Sequence, residues 1–257
     1  ADGGGPLPTA GGRPLPANAA PLHADDVLVT VGAAGALFIV ATALLEPGDE
    51  IVVVRPNYAT NLETPRAIGA DLRILDLRPE DGWATDPDAL AALLTPRTRL
   101  VSITNPHNPT GAVLDEAALR RIVDIVEAHP VARLLVDETY REMAYGGALP
   151  PAATRSRRGI GVSGMSKSYG LPGIRAGWLT TRDPDLMTTF LAAKEQIHIT
   201  GSLIDEAIAA RALERRAELL PGILDGIADE LATTRAWLAG GPRVAWVEPP
   251  RGEKGRA

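Results

Sequence analysis

A lysine surrounded by small residues carries the clearest chemical signal in this 257-residue sequence. Lys167 lies between two serines in the segment SGMSKSYGLPGIRAGW, after an apolar run, and Arg175 follows it eight residues later. A lysine in such a loop is usually solvated, but desolvation at a strand end lowers its pKa and makes it a nucleophile. A guanidinium group is suited to bidentate binding of phosphate. The segment therefore indicates either a surface loop or a nucleophilic lysine beside an anion site.

A carboxylate ends a second apolar run, in the segment VDETY. Asp137 follows that run directly, and Tyr140 lies three residues further on. Burial of a carboxylate is costly unless a cation or strong hydrogen-bond donors accompany it. A structural salt bridge would satisfy Asp137. A protonated heterocyclic nitrogen would satisfy it equally well, with Tyr140 within reach of the same site.

Three further segments place recognition groups just after apolar runs. The segment NPHNPTG (residues 105–111) contains two Asn-Pro steps, which form either a rigid connector or a loop that presents amide groups. Tyr58 follows another run, where an aromatic side chain either packs in the core or stacks on a flat ring. Small residues at Gly32, Ala33 and Ala34 precede a helix, where they either allow close packing or let backbone N–H groups bind an anion.

The apolar runs that lead into these segments alternate with helical patterns. They span residues 27–31, 51–54, 72–77, 100–104, 134–136 and 160–162, and they predict strands. Helices are predicted over 33–45, from Asp86 or Asp88 to 94, over 116–128, over 183–196 and along a stretch from about 202 to 238. This alternation predicts a mostly parallel sheet covered on both faces. Ligands bind beyond the carboxyl ends of such strands, which is where the residues above lie.

The composition narrows the class of protein. The sequence has 45% hydrophobic residues and a net charge of −6, which is typical of a globular protein and argues against nucleic-acid binding. No apolar run is long enough for a membrane span, no secretory signal is recognised, and cysteine is absent. We therefore expect a cytoplasmic enzyme or binding domain without nucleic-acid or membrane partners, and we expect His107 to face solvent. The four histidines show no ligand spacing, so no metal site is predicted: His23, His107, His129 and His198.

In combination, NPHNPTG, DETY and SKSYGLPGIRAGW resemble the class I/II aminotransferases, a family of fold-type I enzymes that depend on pyridoxal 5′-phosphate (PLP). The three segments follow the family's order and separations, and the resemblance covers about residues 25–247. It implies PLP as the cofactor. It also implies a three-layer αβα fold with a mostly parallel seven-stranded sheet.

The resemblance also implies a role for each matching residue. Lys167 resembles the lysine that forms the internal aldimine with PLP and moves the substrate's α-proton in quinonoid or carbanion chemistry. Asp137 matches the carboxylate that keeps the pyridine nitrogen protonated, which makes the ring an electron sink. Asn108 and Tyr140 match two donors to the ring's phenolic oxygen. The resemblance implies ring stacking for Tyr58. It implies phosphate binding for Arg175, Ser166, Ala33 and Ala34.

The sequence departs from the family pattern in two respects. Gly164 stands where the family usually has a phosphate-binding Ser or Thr, so Ser166 or Ser163 would have to compensate. The resemblance also implies that an N-terminal arm and most of a C-terminal small domain are missing. We therefore expect a poorly ordered segment over 1–24, a PLP-binding large domain over 25–200, and a long helix with the start of a truncated small domain over 201–257. A strand could begin at 243–247.

Several activities are compatible with this resemblance. The first is an aminotransferase that acts on an amino acid and a 2-oxo acid, as a homodimer. SKSYGLPGIRAGW is also similar to amino-acid-modifying enzymes such as capreomycidine synthase, so a cyclase, a lyase or a decarboxylase is an alternative, as is an inactive PLP-binding fragment. The effector domain of a transcription regulator is disfavoured, because residues 1–24 are too short for a DNA-binding region and contain Arg13 as their one basic residue.

Overall fold

A mixed sheet of seven strands forms the centre of the molecule. The computed structural model describes residues 21–144, 147–241 and 246–248, so most of the predicted segment 1–24 and of the possible strand 243–247 lies outside the described residues. The hydrogen-bonded order is β1-β7-β6-β5-β4-β2-β3. β7 runs antiparallel to β1 and β6, and the other neighbours are parallel, which confirms the predicted sheet. The strands are β1 (Val27–Val31), β2 (Glu50–Arg55), β3 (Asp71–Asp76), β4 (Thr98–Thr104), β5 (Arg133–Asp137), β6 (Gly159–Gly164) and β7 (Ala176–Thr181).

Helices cover both faces of the sheet, which confirms the three-layer architecture. Leu135 on β5 packs in a core with α1 and α5, whereas Leu134 and Val136 pack in a second core with α4. Because both faces of the central strands are buried, their sequences are continuous apolar runs rather than alternating ones. The helices are α1 (Gly32–Leu44), α2 (Ala59–Ile68), α3 (Pro87–Ala91), α4 (Glu116–Ala128), α5 (Pro184–Ile197), α6 (Leu203–Glu214) and α7 (Arg216–Ala239).

The predicted long helix after residue 202 consists of two helices. The N–H of Arg215 is shared between two carbonyls in the last turn of α6, a bifurcated bond that is common where a helix ends. Ala209 and Ala212 on α6 are buried in a third apolar cluster together with Met165 and Tyr169. α6 therefore packs on the segment that carries Lys167. None of the described helices has the length and apolar composition that crossing a membrane requires.

The carboxyl ends of the central strands meet at one edge of the sheet. Thr104 at the end of β4 pairs with Asp137 at the end of β5, and Asp137 pairs with Val162 on β6. β2 pairs with the other side of β4, so the segment that follows β2 reaches the same edge. The chain topology therefore gathers the NPHNPTG, DETY and lysine segments and Tyr58 around one site.

Candidate active site

Asp137 is a buried carboxylate that is held by neutral donors. It is 6% exposed, and its Oδ1 accepts hydrogen bonds from the Thr139 hydroxyl at 2.6 Å and the Thr139 N–H at 3.1 Å. Asn61 nearby also favours the charged form, yet burial dominates and raises the pKa of Asp137 above its ordinary value. Within the described residues no arginine or lysine forms an ion pair with Asp137. The structure thus provides a carboxylate without the salt bridge that was one of the two interpretations of its sequence.

Asn61 and Asn57 form a pair of hydrogen-bonded amides in the segment after β2. Asn61 is buried in the first turn of α2, and its Nδ2 donates to Oδ1 of Asn57 at 3.0 Å. The same Oδ1 accepts from the backbone N–H of Tyr58 at 2.7 Å and from the Thr104 hydroxyl at 3.4 Å. The sequence analysis missed Asn61 and Thr139. Asn57 lies before the N-cap of α2, so the separation of four residues between the two asparagines is not a helix-face signal, and nothing in the segment pointed to Asp137.

The segment that carries Lys167 is anchored on both sides of the lysine. Met165 is fully buried, its N–H donates to the Ala176 carbonyl on β7, and its carbonyl accepts from Leu171. Ser168 is buried and donates to the carbonyl of Thr139 at 3.1 Å. These contacts leave Lys167 itself exposed, with its Nζ 6.0 Å from the centre of the Tyr140 ring. The structure therefore brings together two of the predicted catalytic residues.

The N-terminus of α1 is suited to an external anion. The preceding residue, Val31, offers no side-chain cap, and the first turn contains no acidic residue. The first N–H groups of the helix have no intrahelical acceptor, and no side chain of the described residues caps them. Gly32 has a φ of +69°, and a Cβ placed on it would lie 2.5 Å from Nη2 of Arg175. Nη1 of Arg175 donates to the Ser166 hydroxyl at 3.1 Å and to the Pro172 carbonyl at 2.8 Å. The guanidinium of Arg175 and the hydroxyl of Ser166 therefore lie close to the helix terminus at Ala33.

The glycine that departs from the family pattern lies at a tight junction. A Cβ on Gly164 would lie 3.0 Å from the Ala176 carbonyl oxygen and 3.3 Å from the backbone nitrogen of Ala33. Its partner on β7, Gly177, would clash more severely, because a Cβ there would lie 2.5 Å from the same nitrogen. Small residues on both strands therefore allow the start of α1 to lie directly against the sheet. Of the two predicted substitutes for the missing hydroxyl, Ser166 contacts Arg175, whereas Ser163 donates to the Glu138 carbonyl.

The NPHNPTG loop and Tyr58 contribute the remaining predicted residues. Asn108 is half-buried, Ala34 is half-buried in the first turn of α1, and Tyr58 is exposed. Within the described residues no hydrogen bond joins the side chains of Asn108 or Tyr58 to Asp137 or Lys167. Both residues follow strands that end at the same edge of the sheet as Asp137.

His107 does not face solvent, and that prediction was wrong. Its side chain is 5% exposed, Nδ1 lies 2.7 Å from the Thr110 hydroxyl, and burial lowers its pKa, although the carbonyl of Pro56 opposes this shift. Nε2 has no hydrogen-bond partner of normal geometry among the described residues. The ring fills space beneath the loop, where the loop packs against the segment after β2.

These residues fit PLP in three independent ways. The cofactor's ring nitrogen, when protonated, needs a carboxylate that no cation already occupies, and Asp137 meets that condition. Its phosphate needs a cation and backbone donors, which Arg175 and the uncapped start of α1 supply. Its aldehyde needs an accessible amine, and Lys167 is exposed at the same edge.

Comparison with known proteins agrees with this site. Residues 15–241 match the profile of the family described as aminotransferase class I and II. The chain is 35% identical over 229 residues to capreomycidine synthase from Streptomyces vinaceus, covering 88% of this chain and 58% of that protein. It is 36% identical over 164 residues to arginine–pyruvate transaminase from Pseudomonas aeruginosa, covering 62% and 41% respectively. A solved PLP-dependent aminotransferase from Streptococcus suis superposes with a TM-score of 0.83 at 31% identity, covering 88% of this chain and 59% of that one.

The pairwise matches and the family profile cover different shares of the proteins that they compare. The chain spans about half the length of the curated relatives it matches. The family profile, in contrast, covers most of this chain and includes every predicted site residue from Ala33 to Arg175. The chain therefore belongs to the class I and II aminotransferase family, whose cofactor is PLP.

Proposed function

We propose that this chain is the PLP-binding part of an aminotransferase that acts on an amino acid and a 2-oxo acid, with Lys167 as the residue that binds the cofactor covalently. The observation that carries the proposal is the buried Asp137, which has neutral donors and no cationic partner among the described residues. Such a carboxylate is destabilised as it stands, and a protonated ring nitrogen would stabilise it. A purely structural role gives no reason for leaving it unpaired.

Different side chains bind the cofactor and transfer protons. PLP, when bound, supplies the electron sink that stabilises a carbanion at the substrate α-carbon. Asp137 holds the proton at the ring nitrogen, and Lys167 moves the proton at the α-carbon as the general acid and base. Asn108 and Tyr140 orient the ring through its phenolic oxygen, and Tyr58 stacks on it.

The phosphate anchor completes the binding site. Arg175 and Ser166 already contact each other across the start of α1, so we assign both to the phosphate together with the backbone N–H groups of Ala33 and Ala34. A guanidinium and a helix terminus each favour a dianion, and together they fix the end of the cofactor opposite to the reacting carbon.

Organisation and location are part of the same proposal. We assign residues 25–200 to a large domain and 201–257 to helices that lead toward a small domain. A homodimer is supported by exposed apolar side chains on α6, where Leu203 is 77% and Ile204 is 74% exposed, because contiguous apolar surface marks an interaction site. We assign the chain to the cytoplasm, in agreement with the absence of cysteine and therefore of disulfides.

A second candidate function is a cyclase or another reaction that modifies the amino-acid side chain. It is favoured by one observation, the 35% identity to capreomycidine synthase over 88% of this chain. The same cofactor residues serve both reactions, because both begin with removal of the substrate's α-proton. The residues that would choose between them contact the substrate rather than PLP.

The test loads the chain with PLP and adds single amino acids, with L-arginine first, and then pyruvate as the acceptor. Transamination predicts loss of the visible absorbance of the bound cofactor, release of the matching 2-oxo acid, and recovery of the absorbance on addition of pyruvate. Asp137→Asn, which keeps the shape and removes the charge, should abolish the exchange. Exchange of the α-proton without release of a 2-oxo acid would favour the cyclase class, and failure to bind PLP would refute both.

A further inference from the structure

Thr139 makes two hydrogen bonds to one oxygen of Asp137. Its hydroxyl donates to Oδ1 at 2.6 Å, and its backbone N–H donates to the same atom at 3.1 Å. The N–H bond closes the local turn that an aspartate forms with the residue two positions ahead, and any residue except proline supplies it. The hydroxyl bond, in contrast, requires serine or threonine here. The side chain of Thr139 therefore adds a contact that the turn itself does not need.

The backbone of Asp137 is already fixed by the sheet on both sides. Its carbonyl accepts from the Asn105 N–H at 2.9 Å, and the N–H of Glu138 donates to the Val162 carbonyl at 2.7 Å. The freedom that remains is rotation about the side-chain bonds of Asp137, which a directional bond from the hydroxyl restricts. Both hydrogen bonds of normal geometry that the described residues make to this side chain end on Oδ1. These bonds therefore hold the carboxylate through one oxygen and leave Oδ2 to a ligand.

The carbonyl of Thr139 joins the same turn to the segment that carries Lys167. Ser168 is buried, and its hydroxyl donates to this carbonyl at 3.1 Å. Thr139 is itself buried, so water does not compete for its bonds. Burial raises the pKa of Asp137, and both donors of Thr139 oppose this shift because they stabilise the charged form. Thr139 thus contacts the carboxylate assigned to the ring nitrogen and the neighbour of the lysine assigned to the aldehyde.

Resting on the function proposed above, we infer that Thr139 is a positioning residue that holds Asp137 through Oδ1 and so presents Oδ2 to the ring nitrogen of PLP. Without the hydroxyl, the carboxylate rotates more freely and must be ordered when the cofactor binds, which costs affinity. This cost arises only for a ligand whose ring nitrogen uses the carboxylate. A ligand without that nitrogen should bind equally well with and without the hydroxyl.

Two substitutions separate the hydroxyl from the rest of the side chain. Thr139→Val has nearly the same shape, keeps the backbone N–H bond and removes the hydroxyl. We expect its dissociation constant for PLP to be about three- to tenfold higher than that of the wild type. Thr139→Ser keeps the hydroxyl and removes the methyl group, so its dissociation constant should stay within about twofold of the wild-type value.

The measurement is equilibrium dialysis of each protein with PLP and, separately, with 1-deaza-PLP, in which a C–H group replaces the ring nitrogen. The analogue keeps the phosphate for Arg175 and the aldehyde for Lys167, but it offers no ring nitrogen to Asp137. Its dissociation constants for the wild type and Thr139→Val should therefore agree within about twofold. A side chain that serves only the packing of the turn would weaken the binding of both ligands by the same factor.

Thr98→Val is the matched control. Thr98 is buried at the start of β4, at the opposite end of that strand from the site, and its hydroxyl oxygen accepts from the Thr95 N–H at 2.9 Å. The substitution removes a buried hydroxyl far from Asp137, so the affinities for PLP and for the analogue should both stay at their wild-type values. Thermal unfolding of each protein establishes that it is folded before dialysis.

The outcomes distinguish this inference from the proposed function. If the wild-type chain does not bind PLP, the proposed function fails and the inference fails with it. If the wild type binds PLP and the analogue equally, Asp137 does not serve the ring nitrogen, and its assignment fails together with the inference. If the wild type prefers PLP and Thr139→Val weakens both ligands equally or neither, the inference alone is overturned. Should Thr139→Val not fold, Thr139→Ala also lacks the hydroxyl and replaces it in the same comparison.

Discussion

A single methyl group at the start of α1 should weaken PLP binding by disturbing the phosphate anchor. Gly32→Ala places a Cβ 2.5 Å from Nη2 of Arg175, which is 0.9 Å short of the 3.4 Å at which ordinary contact begins. The guanidinium must move away, and its contact with Ser166 at 3.1 Å is then broken. Loss of one hydrogen bond to a charged group corresponds to a roughly tenfold to hundredfold weaker affinity.

The same substitution has a second cost that does not involve the site. The φ of Gly32 is +69°, where a residue with a Cβ loses about 1–2 kcal/mol. Gly48→Ala isolates this cost, because Gly48 has a φ of +88° with nothing within 4 Å of its Cβ position. Gly35→Ala adds a methyl group to α1 without a clash, because the nearest atom to the new Cβ is Cβ of Val31 at 3.7 Å. This change within the helix should stabilise the fold by about 0.5–1 kcal/mol.

The assay combines two measurements on these three variants. Urea unfolding of the PLP-free protein gives the free energy of unfolding, which should fall for Gly32→Ala and Gly48→Ala and rise for Gly35→Ala. Titration with PLP gives the affinity, which should fall for Gly32→Ala alone. The reasoning is refuted if Gly32→Ala binds PLP as tightly as Gly48→Ala does, because the effect would then be backbone strain without any role for Arg175.

Two further predictions concern stability. Burial raises the pKa of Glu138 from 4.5 to about 7, so between these values the folded state binds the proton that the unfolded state has released, and stability falls by about 3 kcal/mol as pH rises. Glu138→Gln keeps an acceptor for the Ala152 N–H and should flatten the dependence of unfolding free energy on pH in that window; an unchanged slope would contradict the cause given. Ile122→Ala on the buried face of α4 should cost about 2–5 kcal/mol in urea unfolding, whereas Arg120→Ala on its exposed face should cost at most about 0.5 kcal/mol. Equal losses would mean that α4 does not pack as described.

The sequence predicted most of the sheet because burial on both faces leaves a continuous apolar run. β1 was predicted with its observed bounds, and the other five predicted strands differ from the observed ones by at most two residues at either end. β7 was not recognised from its own pattern. Its segment AGWLTT includes Gly177 and begins within the motif of the lysine segment. Its antiparallel direction depends on the return of the chain from Arg175, which a local pattern does not encode.

The site was predictable to the extent that single segments carry its residues. Asp137 ends β5, Lys167 follows β6 and Arg175 precedes the antiparallel β7, so their shared edge follows from topology. The hydrogen bond between Thr104 and Asn57 forms only because β2 pairs with β4 in the sheet, and no feature of either segment alone shows that contact. His107 was misjudged for the same reason, since the residues that bury it belong to other segments of the chain.

The central claim is that Lys167 binds PLP covalently, and borohydride reduction followed by peptide mapping tests it most directly. Reduction of the PLP-loaded chain should attach the cofactor irreversibly to the peptide that contains Lys167. Lys167→Ala should abolish the label, and Lys194→Ala on α5 should leave it unchanged. A label that persists in Lys167→Ala, or that maps to Lys194 in the wild type, would contradict the account.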